Sequence, residues 1–264
     1  MKSVTLGQYF PGDSLIHRLD PRTKLLWVII YIVALFAALD WYSYGVMMAV
    51  TAAFLISSKV KFRVIMQGLR PLIIIIILTA VLNMFYTDGT PVLPGWPITW
   101  EGIKKAVLMI LRIIMLIAGT FLLTYTTSPI MLTDGMELLN APLKKLHFPV
   151  HETALMMSMA LRFIPTLTEE TNKIMSAQRA RGADFDTGNI IQRAKAMIPI
   201  LVPLFVSSFR RADELAVAME SRCYHGGEGR TRLKQLHYAP RDWIALGFGA
   251  VLLAGMFTMR HFGL

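Results

Sequence analysis

The sequence predicts an all-α integral membrane protein of about five transmembrane helices, with a long cytoplasmic helical segment between the fourth and fifth spans. Three observations carry this. Of the 264 residues, 55% are hydrophobic and only 17% charged, and the mean hydropathy is +0.51, whereas soluble domains are about 45–50% apolar and about 25% charged. The apolar residues gather in five blocks with nearly charge-free interiors, which the core of a soluble helical protein does not need. The cations are shared unevenly among the connections between those blocks.

The first 24 residues are polar, are punctuated by Pro11, Gly12 and Pro21, and do not read as a secretory leader, so the first block is expected to be a retained span. The blocks cover residues 25–39, 42–58, 71–86, 103–127 and 243–259. Several fall short of the roughly 20 residues a spanning helix needs. Flanking residues extend them, and Trp27, Trp41, Tyr42, Trp96, Trp100 and Trp243 suit the interfaces. Lys2, Arg18, Arg22 and Lys24 precede the first block, and Lys59, Lys61, Arg63 and Arg70 separate the second from the third. The first-to-second connection and residues 87–102 hold no Lys or Arg. The positive-inside rule then puts the N-terminus in the cytoplasm and, after five spans, the C-terminus outside. Lys104 and Lys105, at the outer end of the fourth span, are expected to snorkel.

Residues 128–242 differ, with fifteen Lys/Arg and twelve Asp/Glu interleaved with apolar positions. The segment is too long for a structureless loop. Three units are therefore expected: residues 1–127 with four spans, 128–242 as a cytoplasmic helical domain, and 243–264 as the fifth span with a short external end. Within the middle unit, residues 129–145 read as one short helix and His147-Phe148-Pro149 as a turn. A long helical pattern follows from about Glu152 to Arg181, interrupted by Pro165 and stopped by Gly182. A second runs from Ile190 to about Arg222, with Pro199 and Pro203 as kink candidates and Gly226, Gly227 and Gly229 as its end. Each long helix has an apolar end (ALMMSMALRFIP, AMIPILVPLFVSSF) and a charged end, and the apolar ends are expected to lie together at the inner face of the membrane.

The charged ends match each other. One reads Ala180-Arg181-Gly182, the other Ser221-Arg222-Cys223, each an Arg between small residues. An Arg at a helix C-terminus bonds the last free carbonyls and suits the macrodipole. An unobstructed guanidinium there also fits a carboxylate-lined groove on another protein. A single Arg favours the first reading; the repetition raises the second, a two-pronged plug. Arg112, inside the fourth block, is costly there and reads as a partnered structural residue ahead of a transport-path residue, because no acid lies within any block to relay with it. The seventeen methionines, including the cluster Met156, Met157 and Met159, fit core filling or an adaptable surface for varied partners.

Catalytic patterns are missing. The single cysteine, Cys223, allows no intrachain disulfide, and the scattered histidines form no zinc motif: Pro149 divides His147 from His151, and His151-Glu152 lacks its second histidine. Asp184 and Asp186 read as turn or capping acids. The run GGEGRT (226–231) has no Lys and the wrong glycine spacing for a phosphate loop, so any ATP hydrolysis needs another chain. The net charge of +10 comes without a nucleic-acid-binding motif and is explained by topology; no nucleic acid and no cofactor are expected.

The segments GQYFPGDSLIHRLDPRTKLL, PLKKLHFPVHETALMMSMALRFIPTLTEE, AQRARGADF and PLFVSSFRRADELAVAMESRCYHGGEGRTRLKQL together resemble the transmembrane T component (CbiQ/EcfT family) of energy-coupling factor transporters, over nearly the whole chain. The resemblance implies a non-catalytic scaffold in the cell membrane that helps import vitamins or related micronutrients. Its partners would be two ABC-type ATPases and one or more substrate-binding S components. Cytoplasmic coupling helices would link them. By match of motif, Ala180-Arg181-Gly182 and Ser221-Arg222-Cys223 would dock the ATPases. The second departs from the Ala-Arg-Gly common there, but both replacements are small. The apolar ends of the coupling helices, with Met156, Met157, Met159 and Leu161 on one and Met197, Leu201 and Leu204 on the other, would face the S component. A stand-alone permease or channel is the alternative, followed by an intramembrane enzyme. The first predicts polar residues along a path or inverted repeats, and the second a nucleophile or metal constellation; neither is found in the blocks.

Overall fold

The computed structural model describes residues 9–92, 98–185, 187–226 and 235–262. Lys2, Trp96, Asp186 and residues 227–231 of the glycine-rich run, on which readings above fell, lie outside the described residues. The helices are α1 (Pro21–Ala37), α2 (Trp41–Ser58), α3 (Phe62–Leu69), α4 (Ile73–Tyr86), α5 (Trp100–Thr126), α6 (Pro129–Leu139), α7 (Val150–Ala180), α8 (Ile190–Glu220) and α9 (Pro240–Phe262), with 3-10 turns at Arg70–Leu72 and Ala141–Leu146. The chain divides into two compact units, one of residues 7–138 with 236–264, the other of residues 139–235.

In the first unit, α1 starts four residues ahead of its apolar block. The Asp20 carboxylate accepts from the Arg22 N–H at 2.9 Å, and Pro21 occupies the first turn. Trp27, Tyr31, Ala34 and Leu35, at helical spacing, turn one face of α1 onto Tyr44 and Met47 of α2, Leu108 and Met115 of α5, and Leu252 and Met256 of α9. The Tyr31 hydroxyl donates to the Met115 carbonyl at 3.0 Å. A Cβ on Gly119 would lie 2.4 Å from the Tyr31 ring, so the α1–α5 approach requires glycine there.

Polar ties fix both ends of α1. At its C-terminal end, Arg112 of α5 donates to the Ala38 carbonyl at 2.7 Å, with the Phe36 and Tyr44 rings 5.6 and 5.5 Å from the guanidinium. The cation thus meets a free carbonyl at the negative end of a helix, as the structural reading expects. At the N-terminal end, buried Asp242 accepts from the Asp20 N–H at 2.9 Å and from the Ala239 N–H at 2.8 Å. Arg22 donates to the Leu236 carbonyl and lies 3.9 Å over the Tyr238 ring, and Lys24 donates to the Thr126 carbonyl at the end of α5. Trp27 donates to Ala245, and Gly249 packs on Trp27 and Ile30, so α1 and α9 run parallel.

Among the described residues, five stretches are long and apolar enough to cross a membrane: Trp41–Ser58, Arg63–Tyr86, Trp100–Thr126, Ile190–Glu220 and Pro240–Phe262. The count agrees with the expected five. At 17 residues, α1 sits at the lower limit of about 17 for a spanning helix. By length and composition α8 qualifies too, although its long uncharged run was read as the apolar end of a cytoplasmic helix. The third span begins earlier than expected because α3 continues through a 3-10 turn into α4. Large apolar side chains stay exposed along the spans, Ile56 at 78% and Ile74 at 77%, as a lipid-facing surface does.

The expected helix over 129–145 is split: α6 ends at Leu139, and a 3-10 turn starts at Ala141, with Pro142 lacking the N–H to continue the ladder. Pro165 does not interrupt α7, and Pro199 and Pro203 do not break α8. All three prolines are exposed, on faces where the bond they remove is not needed for packing. The end of α8 comes six residues before Gly226, because Cys223 takes the left-handed conformation that stops it.

Candidate functional site at two arginine-bearing helix ends

The matching sequence motifs at the ends of α7 and α8 fold alike. In α7, the Gly182 N–H donates to the Arg179 carbonyl and the Ala183 N–H to Gln178, both at 3.0 Å, with Gly182 at φ 88°. In α8, the Cys223 N–H donates to Glu220 at 2.9 Å and the Tyr224 N–H to Met219 at 3.1 Å, with Cys223 at φ 57°. Each is a Schellman closure, which satisfies the last carbonyls from the backbone itself. In both, the motif arginine immediately precedes the left-handed residue. The helix-capping reading of these arginines loses its ground, because backbone N–H groups already do that work. Arg181 and Arg222 are exposed, and neither makes a side-chain hydrogen bond or ion pair among the described residues. Ala180, Gly182, Ser221 and Cys223 around them are exposed too, so nothing bulky shields either guanidinium.

Between the two tips lies an ion pair the sequence reading missed. Arg211 of α8 donates to the Glu170 carboxylate of α7 at 3.1 Å. A hydrogen bond from Ser207, then Arg211, holds the Glu170 carboxyl below the usual range. Glu170 precedes Arg181 by eleven residues, and Arg211 precedes Arg222 by eleven. Each arginine therefore ends an arm about 16 Å long measured from the same tie. Leu155, Met159 and Phe163 of α7 line a groove of about 830 Å³ with Leu215, Met219 and Arg222 of α8. With the ion pair, this makes the helices antiparallel, so the arms point away from each other.

That packing separates what the sequence reading put together. The apolar end of α7 lies beside the charged end of α8, not beside its apolar end. Of the seven apolar candidates, Met156, Met157, Met197 and Leu201 are exposed, and Leu161 and Leu204 are half-buried. Met159 alone of them lines the groove near Arg222. The groove carries Arg162, Arg222 and His225 and no acid among its described lining residues. The two tips thus differ: Arg222 borders a cationic groove, whereas a Cβ at Gly182 beside Arg181 would meet nothing within 4 Å.

Comparison with known proteins agrees with this architecture. The family described as CbiQ, cobalt transport protein, matches residues 12–233. An energy-coupling factor transporter transmembrane protein EcfT from Thermosediminibacter oceani is 53% identical over 262 residues, 98% of this chain and 99% of its own. The EcfT of Clostridium kluyveri is 55% identical over 249 residues, 93% and 92% of the two chains. That of Bacillus subtilis is 48% identical over 263 residues, 98% and 99%. The matches span both compact units and include both arginine-bearing ends, so the chain belongs to the CbiQ/EcfT family of energy-coupling factor transporter transmembrane proteins.

Proposed function

We propose that the chain is the non-catalytic energy-coupling scaffold of a vitamin or micronutrient importer. Arg181 and Arg222 seat in carboxylate-bearing grooves of two ABC-type ATPases, one tip to each, and ATP-driven closure of those ATPases moves α7 and α8. The exposed Met156 and Met157 on α7 and, at the opposite end of the pair, Met197 and Leu201 on α8 offer two separate adaptable apolar patches to a substrate-binding S component. The observation that carries the reading is the twinned geometry: two free guanidiniums, each on a Schellman-closed end, each eleven residues beyond one shared ion pair. The cation-rich start and the Lys59–Arg70 connection put the N-terminus in the cytoplasm. With α1 and α9 parallel, the C-terminal helix then ends outside.

The test is reversal of charge in the co-expressed complex. A buried charge pair broken from one side costs about 2–5 kcal/mol. Arg181→Glu or Arg222→Glu alone is expected to weaken retention of one ATPase, and the double variant to lose both together with uptake. ATPases that still co-purify with the double variant, with uptake intact, would remove the docking role.

A further inference from the structure

The short helix α3 has two faces with different work. Ile65 and Leu69 turn inward against Ala118 and Tyr125 of α5. Arg63, Met66, Gln67 and Arg70, at i, i+3, i+4 and i+7, are exposed on the other side and line a groove of about 500 Å³. The groove continues over Ile73, Ile76 and Ile77 of α4 to Ile114 of α5. One end thus carries Arg63 and Arg70, whose Cα atoms are about 10 Å apart along the helix axis, and the other is an isoleucine floor. No acid lines it, and none occurs between Asp40 and Asp88. Its apolar wall belongs to a helix whose remaining surface, Ile74 at 77% and Leu78 at 56% exposed, is also open to the bilayer.

We infer that this groove binds one anionic phospholipid, its phosphate on Arg63 and Arg70 and an acyl chain along Ile73, Ile77 and Ile114. Guanidinium forks match phosphate oxygens with paired N–H donors, and basic pockets between spans on the cytoplasmic side hold anionic headgroups. Charge complementarity at one end and an apolar run into the membrane at the other suit a lipid, not a peptide or a free anion. The assignment to the inner leaflet rests on the orientation proposed above; the binding itself does not.

The test uses the delipidated full-length chain alone, so its failure is separate from that of ATPase docking. Native mass spectrometry follows retention of dioleoylphosphatidylglycerol or dioleoylphosphatidylcholine. The wild-type chain is expected to retain one phosphatidylglycerol in preference to phosphatidylcholine. Arg63→Gln with Arg70→Gln is expected to weaken that retention about 30-fold. Ile77→Trp, which fills the groove and leaves both arginines, is expected to weaken it as well, whereas Lys104→Gln with Lys105→Gln, the same charge removed elsewhere, leaves it unchanged. Undiminished retention by the double arginine variant overturns the inference. So does equal retention of the two lipids by the wild-type chain, which would mark the groove as an apolar seat for a partner helix, and so does full retention by Ile77→Trp, which would reduce the effect to surface charge.

Discussion

At Cys223 the chain holds a side chain with a Cβ in a conformation that its counterpart position fills with glycine. The left-handed region costs a residue with a Cβ about 1–2 kcal/mol. Glycine there relieves that cost but adds freedom to the unfolded chain worth about 0.4–1 kcal/mol. Cys223→Gly is therefore expected to stabilise the purified chain by about 0.5–1 kcal/mol, read as a higher melting temperature, with ATPase retention unchanged because Arg222 keeps its backbone geometry. Gly182→Ala should act in the opposite direction; a lower melting temperature for Cys223→Gly would show that the thiol makes a contact outweighing the strain. The arginine motifs were legible in the sequence because their small neighbours stand out on otherwise ordinary helices. The reason for the small third residue was not, since it lies in a φ value rather than in a side chain. Arg112 and Asp242 show the limit of local reading. Their partners, the Ala38 carbonyl and the Asp20 N–H, are 74 and 222 residues away in the chain, and both are backbone atoms that no residue pattern reveals.

The helices themselves were legible wherever apolar runs were long and uninterrupted, as in α2, α5 and α9. They were misread where Pro165 was taken as an interruption of α7, because a proline on an exposed face removes a bond without disturbing the packed one. They were also misread at α3, where Lys61, Arg63 and Arg70 made a packed helix look like a loop. The pairing of α7 with α8 was invisible, because Glu170 and Arg211 are ordinary surface charges until the helices are placed side by side. That pairing carries a pH dependence. The folded state holds the Glu170 carboxyl below its ordinary value of 4.5, first through Ser207 and then through Arg211. A group depressed on folding stabilises the folded state above its unfolded value and loses that contribution as pH falls toward the folded one. Amide hydrogen exchange, with rates corrected for their intrinsic pH dependence, is expected to show α7 and α8 equally protected from pH 7 down to about 5 and progressively less protected below. Glu170→Gln should lack that added acid sensitivity. If wild type and variant lose protection in parallel, the ion pair does not hold the two helices together.

At the scale of the whole molecule, the fold class could be read from five blocks and their flanking cations, whereas the division of labour between the two units depends on packing. The membrane unit is tied within itself by Arg112, Asp242 and Lys24, three charges that each satisfy backbone atoms rather than one another. In the other unit, few of the described side chains on α7 and α8 are buried, and the Glu170–Arg211 ion pair ties the two helices to each other. If the chain passes motion from two ATPases as proposed, its arms need to move as one body. If that tie were absent, each arm could yield separately and the displacement would be spent in bending. Glu170→Ala with Arg211→Ala removes the tie without leaving a charge unpaired, and leaves Arg181 and Arg222 in place. An ion pair this open to solvent contributes too little for its removal to unfold the chain. In the reconstituted complex, ATPase retention and ATP hydrolysis should persist while substrate uptake per ATP falls several-fold. Uptake and hydrolysis falling together would instead place the pair in docking or folding. No change in either would mean that the arms transmit independently and that the equal spacing of the two tips from Glu170 and Arg211 has no mechanical role.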